Sequence, residues 1–154
     1  YFDCVVGPIG EHGGHVLKFI GDAVLAFFPM LAGSAAANPL SAVLAIRKRL
    51  AALNAARMDA SELPLRHALC LHYGRVLYGN IGSSDRLDFT IIGEAVNLTA
   101  RGVEAAKGLG IEYLVTGAFV GQFGMTGLVR RGRHALRGIP EPLEMFSLAE
   151  CGAP

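Results

Sequence analysis

An α+β sandwich, with helices packed on a mostly antiparallel sheet, is the fold class this 154-residue sequence predicts. Three observations predict it. Residues 14–29 place two apolar runs on either side of a Gly21-Asp22 corner, and the flanking residues are the β-branched and aromatic types that favour a pleated surface, the pattern of a β-hairpin. Apolar residues recur at helical spacing in Leu40, Val43, Leu44, Leu50 and Leu53, behind a capping Asn38 and a first-position Pro39. The remaining stretches complete the order helix, two strands, helix, three strands, helix, strand, helix, two strands. No internal repeat or low-complexity linker interrupts that order, so 1–154 reads as one domain. With 52% hydrophobic residues, a chain of this length buries about two-thirds of the surface its unfolded form exposes.

In order along the chain, Tyr1, Phe2, Val5, Val6 and Ile9 recur at helical spacing, and Gly13-Gly14 stops that helix. No cap or strand precedes it. A domain built on a central sheet is expected to have earlier elements, so the sequence reads as truncated at its N-terminus. In the hairpin, Lys18 and Asp22 project near the corner, and on spacing alone two solvated surface charges explain them equally well. After the helix that starts at Pro39, Leu65 to His72 and Val76 to Ile81 are predicted to form a second strand pair joined at Tyr73-Gly74-Arg75. The turn-rich Gly82-Ser83-Ser84-Asp85 leads to a strand over Leu87 to Ile92. Glu94 to Lys107 is predicted helical although Gly102 within it costs about 1 kcal/mol relative to alanine. Tyr113 to Thr116 is a short strand and Ala118 to Phe123 a short helix. Leu128 to Ala135 and Glu144 to Leu148 close the fold as a strand pair around Gly138-Ile139-Pro140.

Composition removes several function classes. Net charge is +1, and the basic residues are scattered except at Arg130-Arg131-Gly132-Arg133, so the footprint of a duplex-binding protein is missing and nucleic acid is not expected as a partner. No apolar run approaches the roughly 20 residues that span a bilayer, so this segment is expected to be soluble and without membrane contact. Cys4, Cys70 and Cys151 have no metal-ligand spacing and read as reduced core thiols, and the five histidines form no zinc motif. A basic stretch followed by an apolar one does not open the sequence, so a cytoplasmic setting is expected.

Two runs carry chemistry. One is Val16-Leu17-Lys18-Phe19-Ile20-Gly21-Asp22-Ala23-Val24-Leu25-Ala26-Phe27-Phe28-Pro29. The other is Arg86-Leu87-Asp88-Phe89-Thr90-Ile91-Ile92-Gly93-Glu94-Ala95-Val96-Asn97-Leu98-Thr99-Ala100-Arg101. Asn97 and Arg101 lie four apart in a predicted helix, on one face and about 6 Å apart along its axis, able to hold a sugar and a phosphate together. Spacing alone favours an ordinary solvated arginine. Between the runs lies the glycine-rich His72-Tyr73-Gly74-Arg75-Val76-Leu77-Tyr78-Gly79-Asn80-Ile81-Gly82. In this order the three stretches resemble the catalytic domain of class III adenylate and guanylate cyclases, over about Tyr1 to Leu148.

The resemblance implies a ferredoxin-like sandwich, the nucleotide cyclase fold lacking its first strand and helix. It implies conversion of ATP to 3′,5′-cyclic AMP and pyrophosphate in signal transduction, by attack of the 3′-hydroxyl on the α-phosphate assisted by two metal ions, Mg²⁺ or Mn²⁺. Carried over residue by residue, Asp22 resembles a metal-binding carboxylate, which suits a hard cation. Lys18 resembles the adenine-reading lysine, where guanylate cyclases usually place a glutamate. Thr90 falls at the second base-reading position and points to the threonine subclass of adenylate cyclases, in which bicarbonate stimulation is recurrent. Asn97 resembles the ribose-orienting asparagine and Arg101 the phosphate-stabilising arginine, and Asp88 reads as a solvated strand-edge carboxylate. The family's head-to-tail pairing implies a homodimer with composite sites. The family's other metal-binding aspartate lies on a strand well upstream of the hairpin. Gly102-Val103 replaces the usual aliphatic residue and glutamate, which loosens that turn. A degenerate cyclase homology domain that binds nucleotide or a partner without turnover is the first alternative. An RNA-binding α+β domain is a remote one, since it would want exposed strand aromatics and a basic face.

Overall fold

The computed structural model describes residues 1–30 and 38–149. Cys151, expected as a core thiol, lies outside the described residues. The elements follow the order read from the sequence, and the chain divides into two compact units, residues 1–66 and 67–154.

The first unit holds α1 (Phe2–Glu11), β1 (His15–Ile20), β2 (Ala23–Phe27) and α2 (Pro39–Asp59). Strands β1 and β2 pair antiparallel with Ile20 opposite Ala23, leaving Gly21 and Asp22 as a two-residue turn. Gly21 has φ +62°, the left-handed value that the first position of a II′ hairpin turn requires and that glycine adopts without strain. Helix α2 starts as expected: the Asn38 side chain accepts a 2.9 Å hydrogen bond from the Ser41 amide, with Pro39 at the first helical position. A carboxylate–guanidinium pair, Glu11 with Arg49 at 2.7 Å, joins α1 to α2.

The second unit holds β3 (Leu69–Leu71), β4 (Leu77–Ser83), β5 (Arg86–Ile92), α3 (Glu94–Leu109), β6 (Tyr113–Thr116), α4 (Gly117–Phe123), β7 (Leu128–His134) and β8 (Leu143–Leu148). Its four-stranded sheet runs β3-β6-β8-β7, with β3 parallel to β6 and the other pairs antiparallel, while β4 and β5 form a separate antiparallel ribbon. The core gathers Cys70, Leu98, Ala106, Leu114, Leu136 and Met145 between α3 and the sheet. Among the described residues no helix is long and apolar enough to cross a membrane.

Two expectations need correction. The segment Leu65 to His72 does not pair with Val76 to Ile81: β3 is only three residues long and joins β6, and β4 joins β5. The backbone of Leu65 is consumed by α2, its amide donating to Asn54 Oδ1 at 2.8 Å and its carbonyl accepting from Asn54 Nδ2 at 3.0 Å, so it has nothing left for a ladder. Strands β4 and β5 are joined by only Ser84 and Asp85, with Ser83 opposite Arg86, and that short closure prevails over the longer one. The buried face of α2 is also displaced from the expected one. It comprises Pro39, Ala42, Val43, Ile46 and Leu50, while Leu44 is 41% exposed and Leu40 and Leu53 are half-buried.

Candidate active site

Of the five residues singled out from the sequence, Lys18 and Asp22 belong to the first unit and Thr90, Asn97 and Arg101 to the second. Each group is described within its own unit. Lys18 is half-buried on β1, opposite Leu25, and Asp22 is exposed at the turn. The ladder shifts register between Val16 and Lys18, a bulge that re-aims the strand before the corner, and is regular from Lys18 onward. Phe19 therefore faces the opposite side of the ribbon from Lys18. The Phe19 ring meets Phe2 edge-on, with centroids 4.8 Å apart, and Phe2 in turn meets Tyr1. Burial pushes the Tyr1 hydroxyl pKa up, and the Asp22 charge pushes it further. Asp22 thus lies within electrostatic reach of the Tyr1 hydroxyl.

In the second unit Thr90 sits on β5 opposite Gly79 and is 7% exposed, whereas Asp88, two residues before it on the same face, is exposed. Gly93 caps α3, with φ +145° between strand and helix. Asn97 is exposed on α3, and Arg101 is one turn further on the same face, as the spacing predicts. Arg101 Nη1 donates to both carboxylate oxygens of Glu104, at 2.9 and 3.1 Å. Sequence reasoning did not single out Glu104, although its i, i+3 spacing on the same helix is a readable signal. A cleft of about 440 Å³ in this unit is lined by His72, Thr116, Arg130, Arg133 and Glu144 among others, and by none of the five. Its arginines are already engaged, Arg130 with Glu144 and Arg133 with the Pro142 carbonyl.

Burial biases two histidines in this unit towards the neutral form. His72 shares a 2.9 Å hydrogen bond with Thr116, and burial lowers its pKa against the opposing pull of Glu94; His67 shares one of 2.6 Å with Tyr113, and burial lowers its pKa against Glu112. Both folded values therefore lie below the unfolded value of about 6.5. As pH falls through about 6.5 the unfolded chain takes up protons before the folded one, so the stabilisation complete above that pH is lost towards the lowered values. Thermal unfolding is expected at a lower temperature at pH 5.5 than at pH 7.5. The double variant His67→Gln/His72→Gln should flatten that difference, and an unchanged slope would show that these rings do not cause it.

The donor chemistry bears on a metal. Asp22 offers one hard oxygen ligand, and among the described residues no group of three or more His, Cys, Asp or Glu side chains could hold an ion. The donor set present is thus incomplete for a two-metal clamp.

No family model matches the chain. It is 34% identical to adenylate cyclase 1 of Rhizobium meliloti (strain 1021) over 125 residues, 79% of this chain and 19% of that protein. The chain therefore spans about a fifth of that relative's length. Among solved structures, a bacterial light-regulated adenylyl cyclase superposes with a TM-score of 0.72 at 27% identity, over 99% of this chain and 43% of that one. The guanylyl cyclase Cya2 superposes with a TM-score of 0.70 over 100% of this chain and 79% of that one. At 23% identity that likeness concerns the fold alone.

Proposed function

Because this chain belongs to the class III nucleotide cyclase family, we propose that it forms 3′,5′-cyclic AMP from ATP with release of pyrophosphate. The observation that carries the reading is the strand-turn-helix that presents buried Thr90 on β5 and, one turn apart on α3, Asn97 and Arg101. In this reading Lys18 donates to a ring nitrogen of adenine, Thr90 completes base selection as in the threonine subclass, and Asn97 holds the ribose. Arg101 exchanges Glu104 for phosphate oxygens and offsets charge as it develops. The 3′-oxygen forms a bond to the α-phosphorus, the bond from that phosphorus to the pyrophosphate oxygen breaks, and the hydroxyl proton passes to solvent water. Magnesium or manganese, when bound, neutralises triphosphate charge, and Asp22 would be one of its ligands.

Two features support division of the site between two copies of the chain. Lys18 and the Phe19–Phe2–Tyr1 cluster lie on opposite faces of the β1–β2 ribbon, with Asp22 at the turn. The β4–β5 ribbon also leaves Tyr78 (52%), Leu87 (60%) and Phe89 (54%) exposed on one face, an apolar surface suited to a second copy.

Base choice supplies the test. Lys18→Glu replaces a donor to adenine with an acceptor and leaves the phosphate contacts alone, so kcat/KM for ATP should fall about tenfold or more beyond any fall for GTP. Cyclic nucleotide formation from each substrate measures this, and equal losses would show that Lys18 does not read the base. The alternative reading is nucleotide binding without turnover. Calorimetric ATP binding without cyclic AMP formation by the full-length protein would establish it.

A further inference from the structure

We propose that Gly102, by letting α3 approach Cys70 on β3, sets the depth at which that helix sits on the sheet, and so acts as a positioning residue for Asn97 and Arg101. The catalytic part of this proposal rests on the cyclase reading above. Gly102 lies on the buried face of α3 with Ala95, Leu98 and Ala106. A Cβ at that position would stand 2.3 Å from Cys70 Sγ, 3.2 Å from Cys70 Cβ and 3.7 Å from Leu114 Cδ2. Comfortable contacts between such atoms begin near 3.5 Å, so a methyl group could enter only if helix or sheet moved by about 1 Å. The sheet side is the less yielding. Cys70 is the middle residue of β3, paired in register with Leu114 on β6, and both belong to the core cluster. The thiol fills the space that the absent side chain leaves, and the helix is the body free to move outward.

Arg101 directly precedes Gly102, and Asn97 precedes it by five residues on the same helix. A helix lifted at Gly102 carries both side chains with it, and displacement of catalytic groups by about 1 Å costs on the order of 100-fold in rate. The glycine that the sequence marks as a weak point in the helix is, in the structure, the point of closest approach between helix and sheet.

The test uses the full-length protein as wild type, Gly102→Ala, Cys70→Ala and the double variant, with crystal structures, kcat and KM for ATP, and thermal unfolding. Gly102→Ala should move α3 outward by about 1 Å and lower kcat about 100-fold, while Cys70→Ala keeps kcat within about threefold of wild type. The double variant, in which the 2.3 Å contact with Sγ is gone, should return α3 towards its place. It should also regain most of kcat even where its thermal stability stays low, a rescue that a merely structural role would not give. If Gly102→Ala does not fold, Cys70→Val presses on α3 from the sheet side and should lower kcat in the same manner. An α3 that stays in place, a displaced α3 with unchanged kcat, or a double variant without rescue overturns the proposal. A wild-type protein that makes no cyclic AMP overturns the cyclase reading and the catalytic part with it, while the position of α3 in the crystals still decides whether the Cys70–Gly102 contact seats the helix.

Discussion

Replacing Arg101 by alanine is expected to lower kcat for cyclic AMP formation by about 100- to 1,000-fold while KM for ATP changes less than about threefold. The guanidinium is assigned to charge that grows on the phosphate as the cyclic ester forms, and a contact made mainly in the transition state appears in kcat. Arg101→Lys should recover little, because an ammonium lacks the planar fork that spans two phosphate oxygens. The partner seen on α3 provides the contrast. Glu104 holds Arg101 in an exposed ion pair, and exposed pairs are worth at most about 1 kcal/mol. Glu104→Ala should therefore leave both constants within about threefold of wild type. Steady-state assays of the purified variants measure all three. An Arg101→Ala enzyme that loses affinity and keeps its kcat would place the residue in ground-state binding.

What the sequence made legible follows from how local each signal is. The β1–β2 hairpin, the Asn38-Pro39 helix start and the β6 and β8 stretches are written in adjacent residues: a glycine that takes φ +62°, a capping side chain, short apolar-rich runs. Strand β3 departs from the expectation because its pairing depends on distant events. Asn54 occupies the backbone of Leu65, and the parallel partner β6 lies beyond two strands and a helix. Leu44 is exposed because the stripe through Val43 and Leu50 is completed by Ala42 and Ile46, residues that the leucine-rich pattern passes over. Gly102 was read as a local cost, since its reason is a thiol on another strand, invisible to spacing. For the candidate site, spacing placed Asn97 and Arg101 on one helix face but was silent on their chemistry. The roles of Lys18, Asp22 and Thr90 came from resemblance alone. The opposite faces of the hairpin, which bear on whether one chain can use both Lys18 and Asp22, emerge only from the bulge, the register and the Phe2–Phe19 contact.

The central claim is that two copies of the chain share each site, one giving Asp22 and the other Lys18, Thr90, Asn97 and Arg101, and mixing two inactive variants tests it most directly. In the full-length protein, Asp22→Ala and Lys18→Ala should each be nearly inactive, since each homodimer carries one lesion in both sites. A mixed dimer collects both lesions in one site and leaves the other wild-type, so up to about half of wild-type activity per heterodimer should return. Phe89→Asp, which charges the exposed face of the β4–β5 ribbon, should abolish that rescue along with the dimer. Cyclic AMP formation is measured across mixing ratios after subunit exchange, with a mass measurement on the same samples. Activity that peaks near equal mixing is the predicted result. Dimers that exchange freely and stay inactive would contradict the shared site and require Lys18 and Asp22 to act within one chain.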